Sequence, residues 1–245
     1  MTLLRPIITC AGLIVFWWLV QWGFGLPPYL LPAPPLVAAA LWDNHALLAA
    51  ATVTTLTETL LGLLIGTALG AIAALVMAFS PALRRWLLPV LLLSQAVPVF
   101  ALAPLLVLWL GFGIASKVAV AVLVLFFPIM SATYDGLRHV PADWLDLAQT
   151  MNATRWRVLV RVRLPAALPS AASGLRVAAA LAPIGAVIGE WVGASSGLGY
   201  VMMNANARVR TDLMFAALLV LSGMTVGVWW LVDTALRRWL VWAPK

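Results

Sequence analysis

The sequence predicts an all-α, polytopic membrane protein with about six transmembrane helices and one long cytoplasmic loop. Of its 245 residues, 64% are hydrophobic and only 9% are charged, whereas about a quarter of the residues of a soluble domain are charged. The apolar residues also occur in long runs, and each crossing of a bilayer takes about 20 of them. A chain of this length therefore has room for about six spans with their loops.

The first apolar run, from about 7 to 25, predicts a helix that stays in the membrane. Arg5 precedes it, as in a signal peptide, but no small-residue cleavage site follows. Five prolines between 27 and 35 then predict a stiff extracytoplasmic loop that leads into a short interfacial helix before Trp42. We treat residues 1–50 as one segment and residues 51–245 as a five-helix core.

The core spans are predicted from apolar runs of transmembrane length. In the second span of the chain, Gly62, Gly66 and Gly70 lie on one helix face and let another backbone approach closely. We expect this face to pack within the chain rather than against a second copy. Three prolines, among them Pro98, predict a kinked or broken third span. The second to sixth spans are expected at about 54–79, 86–110, 114–132, 168–188 and 213–236.

The basic residues predict that both termini lie in the cytoplasm, because cytoplasmic loops of membrane proteins carry an excess of Lys and Arg. With the N-terminus inside, twelve of the fifteen basic residues fall on the inner side. Lys117, Arg208 and Arg210 fall on the outer side. Because apolar spans interrupt the basic residues, we expect no nucleic-acid partner. The twelve inner residues are Arg5, Arg84, Arg85, Arg138, Arg155, Arg157, Arg161, Arg163, Arg176, Arg237, Arg238 and Lys245.

A polar segment, at about 134–167, separates the fourth and fifth spans. Pro141 and the acidic residues after it suit a helix start, and Asn152 suits the left-handed residue that follows a helix end. Thr154 is the expected N-cap of a second helix, which we expect Pro165 to end.

The first of these two helices carries an apolar ridge. Trp144, Leu147, Ala148 and Met151 lie on one face at helical spacing, with charged residues beside them. A ridge of this kind fits a groove on a partner protein.

The same segment resembles the cytoplasmic signature of permease subunits of binding-protein-dependent ABC importers. That signature has an acidic residue followed by two alanines, a glycine four positions later, and a Leu-Pro about a dozen positions further on. Leu147 replaces one alanine and Asn152 the glycine, and Asn can adopt the left-handed conformation. The resemblance implies that this loop forms coupling helices, which insert into a cleft of an ATP-binding subunit. The matching residues are Asp146, Leu147, Ala148, Asn152, Leu164 and Pro165.

The resemblance extends over nearly the whole chain. The stretches 189–200 and 204–212 are similar to permeases of the sulfonate, nitrate and taurine class, and most to those for thiamine-pyrimidine precursors or riboflavin. This implies a small organic solute, either such a heterocycle or a sulfonate- or nitrate-type anion. It also implies a bacterial inner membrane with its lipid, two ATPase subunits, an extracytoplasmic solute-binding protein, and a second permease copy, in a homodimer or with a related chain.

Six residues are candidates for the translocation path. Glu58 is an ionisable group in an apolar span, and such groups are usually functional or paired. The alternative is an interfacial acid that reaches water. Gln95 beside Pro98 places a polar side chain next to freed carbonyl groups. The remaining candidates are Glu190, Ser195 and Ser196. They would line an outer gate, and the alternative is that their loop is a re-entrant or capping loop.

The sequence contains no G-x-x-x-x-G-K-[ST] phosphate loop, so ATP hydrolysis is expected in a separate subunit. We expect no catalytic residue and no cofactor. We also expect no metal site, since His45 and His139 are predicted on opposite sides of the membrane. An ion-coupled secondary transporter is the alternative function, and it would need internal repeats and membrane carboxylates, of which only Glu58 is well placed. An intramembrane enzyme would need a Ser/His or His/Glu cluster at membrane depth, and the two histidines are badly placed for one.

Overall fold

The computed structural model describes residues 4–242, and every regular element in this part of the chain is helical. Lys245 and the side chains of Arg5 and Cys10 lie outside what the structure describes. A π-helical turn, Leu159–Arg163, joins two of the helices. The helices are α1 (Leu4–Gly23), α2 (Pro34–Asp43), α3 (His45–Phe79), α4 (Pro81–Ser94), α5 (Val99–Leu110), α6 (Ile114–Arg138), α7 (Ala142–Thr150), α8 (Arg155–Val158), α9 (Leu164–Gly193), α10 (Leu198–Ala207) and α11 (Thr211–Trp239).

The all-α, polytopic fold is confirmed. Among the described residues, α3, α6, the run Arg155–Gly193 and α11 are long and apolar enough to cross a membrane. The bent pair of α4 and α5 can act as one further span, and α1 contains a shorter apolar stretch, Ala11–Gly23. The expected six crossings are therefore an approximate count.

The chain forms two compact units. In the first, Trp17 of α1 stacks on Phe215 of α11 with ring centroids 5.7 Å apart. The Thr211 hydroxyl donates a 2.7 Å hydrogen bond to the Pro28 carbonyl, which ties the proline-rich loop to the start of α11. The predicted boundary after residue 50 falls within α3 and stays a prediction. The units are Met1–Thr55 with Ser195–Gly223, and Leu56–Ala194 with Met224–Lys245.

The predicted break in the third span is confirmed. Ser80 caps α4, and its hydroxyl accepts a 3.3 Å hydrogen bond from the Leu83 N–H. Residues 95–98 separate α4 from α5, and the two helices are bent by 100°. Pro98 begins α5 as its N-cap. Because proline lacks an N–H and disfavours helical backbone at the residue before it, a continuous helix through this point is excluded.

The glycine face of α3 packs against α6 within the chain, as predicted. A Cβ atom on Gly62 would lie 2.5 Å from the Cβ atom of Ala121, and one on Gly70 would lie 2.9 Å from the carbonyl oxygen of Phe126. The two backbones therefore approach more closely than any larger residue would permit. Below this contact, Leu63, Leu125 and Ile129 belong to a buried core that α9 and α11 complete.

The two predicted cytoplasmic helices are present, with the predicted caps. Asn152 adopts a left-handed conformation with φ of 52°. Its N–H donates to Gln149 O over 2.9 Å, and the Ala153 N–H donates to Ala148 O over 3.0 Å. This is the Schellman pattern that closes a helix. The Thr154 hydroxyl accepts a 3.4 Å hydrogen bond from the Arg157 N–H and so begins α8.

The prediction that Pro165 ends the second helix is wrong. The chain stays helical from Arg155 to Gly193, a run of 39 residues. The π-helical turn that ends at Arg163 has hydrogen bonds five residues apart and is wider than an α-helical turn. Because the wider turn directly precedes Pro165, the proline ring is accommodated and its missing N–H interrupts no regular α-helical ladder. The fifth span is accordingly longer than predicted.

Candidate coupling surface and translocation path

The apolar ridge of α7 is exposed. Trp144, Leu147 and Met151 are 54%, 62% and 74% exposed, while Ala148 is buried against the chain. Contiguous exposed apolar side chains mark interaction sites in most proteins. The ridge is thus available to a partner, as the helical spacing of these residues predicted.

The ridge forms one wall of an open cavity of about 710 Å³. Pro165 and Arg161, which follow α8, contribute to another part of the lining, and so does Trp242 at the C-terminal end of the described residues. Arg161 and Trp242 were not predicted to belong to this surface. The lining residues are His139, Pro141, Trp144, Leu147, Ala148, Met151, Arg161, Val162, Pro165, Ala166, Pro169 and Trp242.

The other residues of the predicted coupling set lie around this surface. Asp146 is exposed and, by the helical repeat, lies on the side of α7 opposite the ridge. Asn152 is exposed beyond the C-terminal end of α7, and Leu164 is half-buried at the start of α9. The predicted set therefore comprises a ridge, a helix end and an acidic flank rather than one continuous face.

Aromatic packing holds α8 beside this surface. The rings of Phe79, at the end of α3, and Trp156 are 6.1 Å apart in an edge-to-face arrangement. Such a pair stabilises a contact by about 0.5–1.5 kcal/mol beyond its buried area. The start of the long helical run is thereby fastened to the end of α3.

Glu58 and Glu190 are buried and lie beside each other. Glu58 is 1% and Glu190 0% exposed, and the two carboxyl groups are electrostatic neighbours. Lys117, which the charge count placed among the outer loop residues, lies in the first turn of α6 and is itself buried. Its Nζ atom is 3.5 Å from Glu58 Oε1. The charge count missed this contact because α3 and α6 meet only in the tertiary structure.

The other path candidates are exposed on the chain. Gln95 is the C-cap of α4, and its side-chain amide donates a 3.3 Å hydrogen bond to the Ser94 hydroxyl. Pro98 is also exposed, at the bend. Ser195 and Ser196 are exposed in the loop before α10, a helix of 10 residues that is too short to cross a bilayer. The assignment of all six candidates to a path stays a prediction.

Arg176, which the sequence places among the inner basic residues, pairs within the chain. Its Nε atom donates to Asp233 Oδ1 over 2.7 Å, and Arg237 Nε donates to Asp233 Oδ2 over the same distance. The pairing was missed because Asp233 lies on another helix. Among the described residues, no group of three His, Cys, Asp or Glu side chains is placed to hold a metal ion.

A match to a known family decides what this architecture is. A family model described as "Binding-protein-dependent transport system inner membrane component" matches residues 66–240. The chain belongs to this family. It is the membrane-spanning permease subunit of an ABC importer, which decides against a secondary transporter and an intramembrane enzyme.

Curated relatives agree with the family. The permease is 50% identical over 238 residues to the "Probable ABC transporter permease protein" of Haemophilus influenzae, covering 97% of both chains. It is 39% identical to the formylaminopyrimidine transport permease ThiX of Halalkalibacterium halodurans, covering 89% of this chain and 88% of the relative. It is also 39% identical to the riboflavin transport system permease RibX of Chloroflexus aurantiacus, covering 95% and 88%.

The fold is shared with a solved transporter. A chain of the MetNI methionine ABC transporter, crystallised in an inward-facing conformation, superposes with a TM-score of 0.61 at 18% identity. The match covers 84% of this permease and 97% of that chain. It confirms the expected all-α permease fold.

Proposed function

We propose that this permease forms a homodimeric path for a small planar heterocycle and receives ATP-driven motion through α7. The observation that carries the proposal is the exposed ridge of Trp144, Leu147 and Met151 beside an open cavity. A partner that covers the ridge removes its apolar surface from water, which stabilises by about 25 cal/mol per Å². The proposed partners are two ATPase subunits, one on each permease copy.

The connections of α7 support a route for motion from the partner into the membrane. α6 ends at Arg138, just before α7 begins. After α7 the chain forms α8 and the π-helical turn, and α9 follows directly. The helices α6 and α9 also touch directly, since a Cβ atom on Gly136 would lie 3.0 Å from Ala167 Cα. A displacement of α7 is therefore transmitted to both helices. In the proposed cycle this tilts them between inward-facing and outward-facing states, without any chemical step in this chain.

The relatives support the proposed class of solute. The names of two of them, at 39% identity each, specify a formylaminopyrimidine and riboflavin. Both compounds are nitrogen heterocycles with flat rings, and we favour this class over sulfonate or nitrate anions. We further propose that an extracytoplasmic binding protein delivers the solute, in keeping with the description of the family.

The exposed polar candidates support a path at the surface of each copy. Gln95 and Pro98 lie at the bend between α4 and α5, and Ser195 and Ser196 lie in the loop before α10. A second copy packed over the bend would enclose Gln95 and Pro98. Glu58 and Glu190 are buried and would lie behind the lining of the path. We place the assembly in a bacterial inner membrane, with both termini in the cytoplasm.

Substitutions that place an arginine on α7 test the proposal. The permease is purified with its candidate ATPase, and Leu147→Arg and Asp146→Arg are compared with Asp43→Arg, an exposed position on α2. We expect the wild type and Asp43→Arg to retain two ATPase copies, and the α7 variants to lose them or to hydrolyse ATP without transport. If no ATPase associates with the wild type and solute still crosses in vesicles without ATP, the proposal is wrong.

A further inference from the structure

Three ionisable side chains from three helices form a buried cluster. Glu58 comes from α3, Lys117 from α6 and Glu190 from α9. The Lys117 and Glu58 side chains are 7% and 1% exposed, with Nζ and Oε1 3.5 Å apart. Glu190 is fully buried next to Glu58. Ionised groups in a membrane interior are costly and are kept where they are paired or have a function.

The helices around the cluster are in backbone contact. A Cβ atom on Gly189 would lie 2.9 Å from Lys117 Cα, and one on Gly185 would lie 2.8 Å from Ala121 Cα. From α3, a Cβ atom on Gly62 would also collide with Ala121. This packing keeps α3 and α9 directly against α6 at this level. The cluster is therefore a tightly packed joint and not an open passage.

The joint lies at the end of the α6 and α9 pair that is remote from α7. Lys117 is in the first turn of α6 and Glu190 in the last turn of α9, whereas the opposite ends of both helices adjoin α7 and α8. With a rise of about 1.5 Å per residue, Lys117 is roughly 30 Å along α6 from Arg138. Motion that enters at α7 must therefore travel the length of the pair before it reaches the cluster.

We propose that Lys117 is a positioning residue, which with Glu58 and Glu190 holds the far ends of α6 and α9 to α3, so that the three helices move as one body. This inference rests on the proposed role of α7. Without the joint, a displacement at α7 would bend or separate the helices instead of moving their far ends. ATP would then be hydrolysed with little transport.

The first test measures solute moved per ATP hydrolysed, in proteoliposomes that contain the ATPase and the binding protein. Lys117→Met leaves Glu58 without its cation beside a second buried carboxyl group, and we expect the transport ratio to fall at least about tenfold while hydrolysis continues. Exchange of the two charges, Glu58→Lys with Lys117→Glu, should restore the ratio to within about threefold. The matched control is Arg210→Met, which removes an exposed cation whose ion pair with Asp212 measures 3.4 Å.

A neutral variant separates positioning from a role in translocation. Glu58→Gln, Lys117→Met and Glu190→Gln together remove every charge of the cluster and keep its volume. We expect this triple variant to assemble and transport, because the two neighbouring amides can still hydrogen-bond between α3 and α9 and no unpaired charge remains. A triple variant that assembles with the ATPase but does not transport overturns the proposal. So does a Lys117→Met variant with the wild-type transport ratio.

A second measurement uses the intact cluster and does not depend on the folding of charge variants. Spin labels at Leu64 on α3 and Ile184 on α9, both exposed, report the distance between the two helices in dimers diluted with unlabelled permease. We expect the distance to change by less than about 2 Å between the nucleotide-free and ATP-trapped states. A larger change contradicts the inference. Failure of the wild-type complex to hydrolyse ATP or transport solute would instead count against the proposed function.

Discussion

Arg176 and Asp233 join α9 to α11 through a 2.7 Å hydrogen bond, and Arg237 occupies the second carboxylate oxygen of the same aspartate. Asp233 is buried, while the side chains of the two arginines are 32% and 65% exposed. The aspartate is thus a shared acceptor for two cations, one on each helix. Its loss leaves both guanidinium groups without their partner.

We therefore expect Asp233→Asn to destabilise the permease. Removing one partner of a fully buried ion pair costs about 3–5 kcal/mol, but both arginines reach solvent, which reduces the expected loss to about 1–2 kcal/mol. Thermal unfolding in detergent should show a lower midpoint. The control is Asp212→Asn, which removes the partner of the exposed Arg210 and should cost less than about 0.5 kcal/mol. Equal effects would show that the link between α9 and α11 is unimportant for stability.

Substitution of Asn152 should separate backbone conformation from side-chain chemistry at the end of α7. The residue has φ of 52°, a conformation that costs most L-residues about 1–2 kcal/mol. We expect Asn152→Gly to bind the ATPase as the wild type does, because glycine adopts this conformation freely. Asn152→Val should weaken ATPase binding, since it disturbs the end of α7. The affinity of each variant for the ATPase, measured in detergent, tests this expectation. If both variants bind weakly, the side-chain amide of Asn152 itself contacts the ATPase.

Val209 is expected to be a site where the permease can be stabilised. This exposed residue, between α10 and α11, has φ of 56°, which is unusual for a β-branched side chain. Replacement by asparagine, which tolerates this conformation, should stabilise by about 1 kcal/mol. Val209→Ala keeps a Cβ atom and should gain less. An unchanged unfolding midpoint in Val209→Asn would show that the local strain is small or is balanced in the unfolded chain.

Replacement of glycine by alanine should have opposite effects on stability in α3 and in α11. Gly62→Ala would put a Cβ atom 2.5 Å from Ala121 Cβ, and such overpacking costs about 1–3 kcal/mol. At Gly227 in α11, a Cβ atom would meet nothing within 4 Å, so Gly227→Ala should be neutral or stabilising by about 0.5–1 kcal/mol. Unfolding midpoints of the two variants test this. A stable Gly62→Ala would mean that α3 and α6 separate at little cost.

Features set by local chemistry were predictable from the sequence. Asn152 and Thr154 each satisfy hydrogen bonds of residues within five positions of themselves, so the helix ends could be located without a tertiary structure. The apolar ridge and the break at Pro98 follow from helical spacing and from proline geometry in the same way.

Features that depend on distant residues were not predictable. Pro165 continues a helix because a π-helical turn precedes it, and no residue pattern marked that turn. From the sequence, Lys117 is predicted to be a charged loop residue, because its partner Glu58 lies on another helix and is identified only in the structure. Trp242 joins the cavity beside α7 from a position almost a hundred residues along the chain. In each case the decisive neighbour is remote in sequence.

The continuity of the helical run that ends at Gly193 makes it a lever. α9 alone has 30 residues, which corresponds to a length of about 45 Å. A rotation of only about 10° around the end that follows α8 would carry the other end through roughly 8 Å, most of the diameter of a helix. In the proposed cycle, a small closing movement of the ATPase at α7 would therefore become a large displacement at the far end of α9, provided that the helix stays stiff along its length.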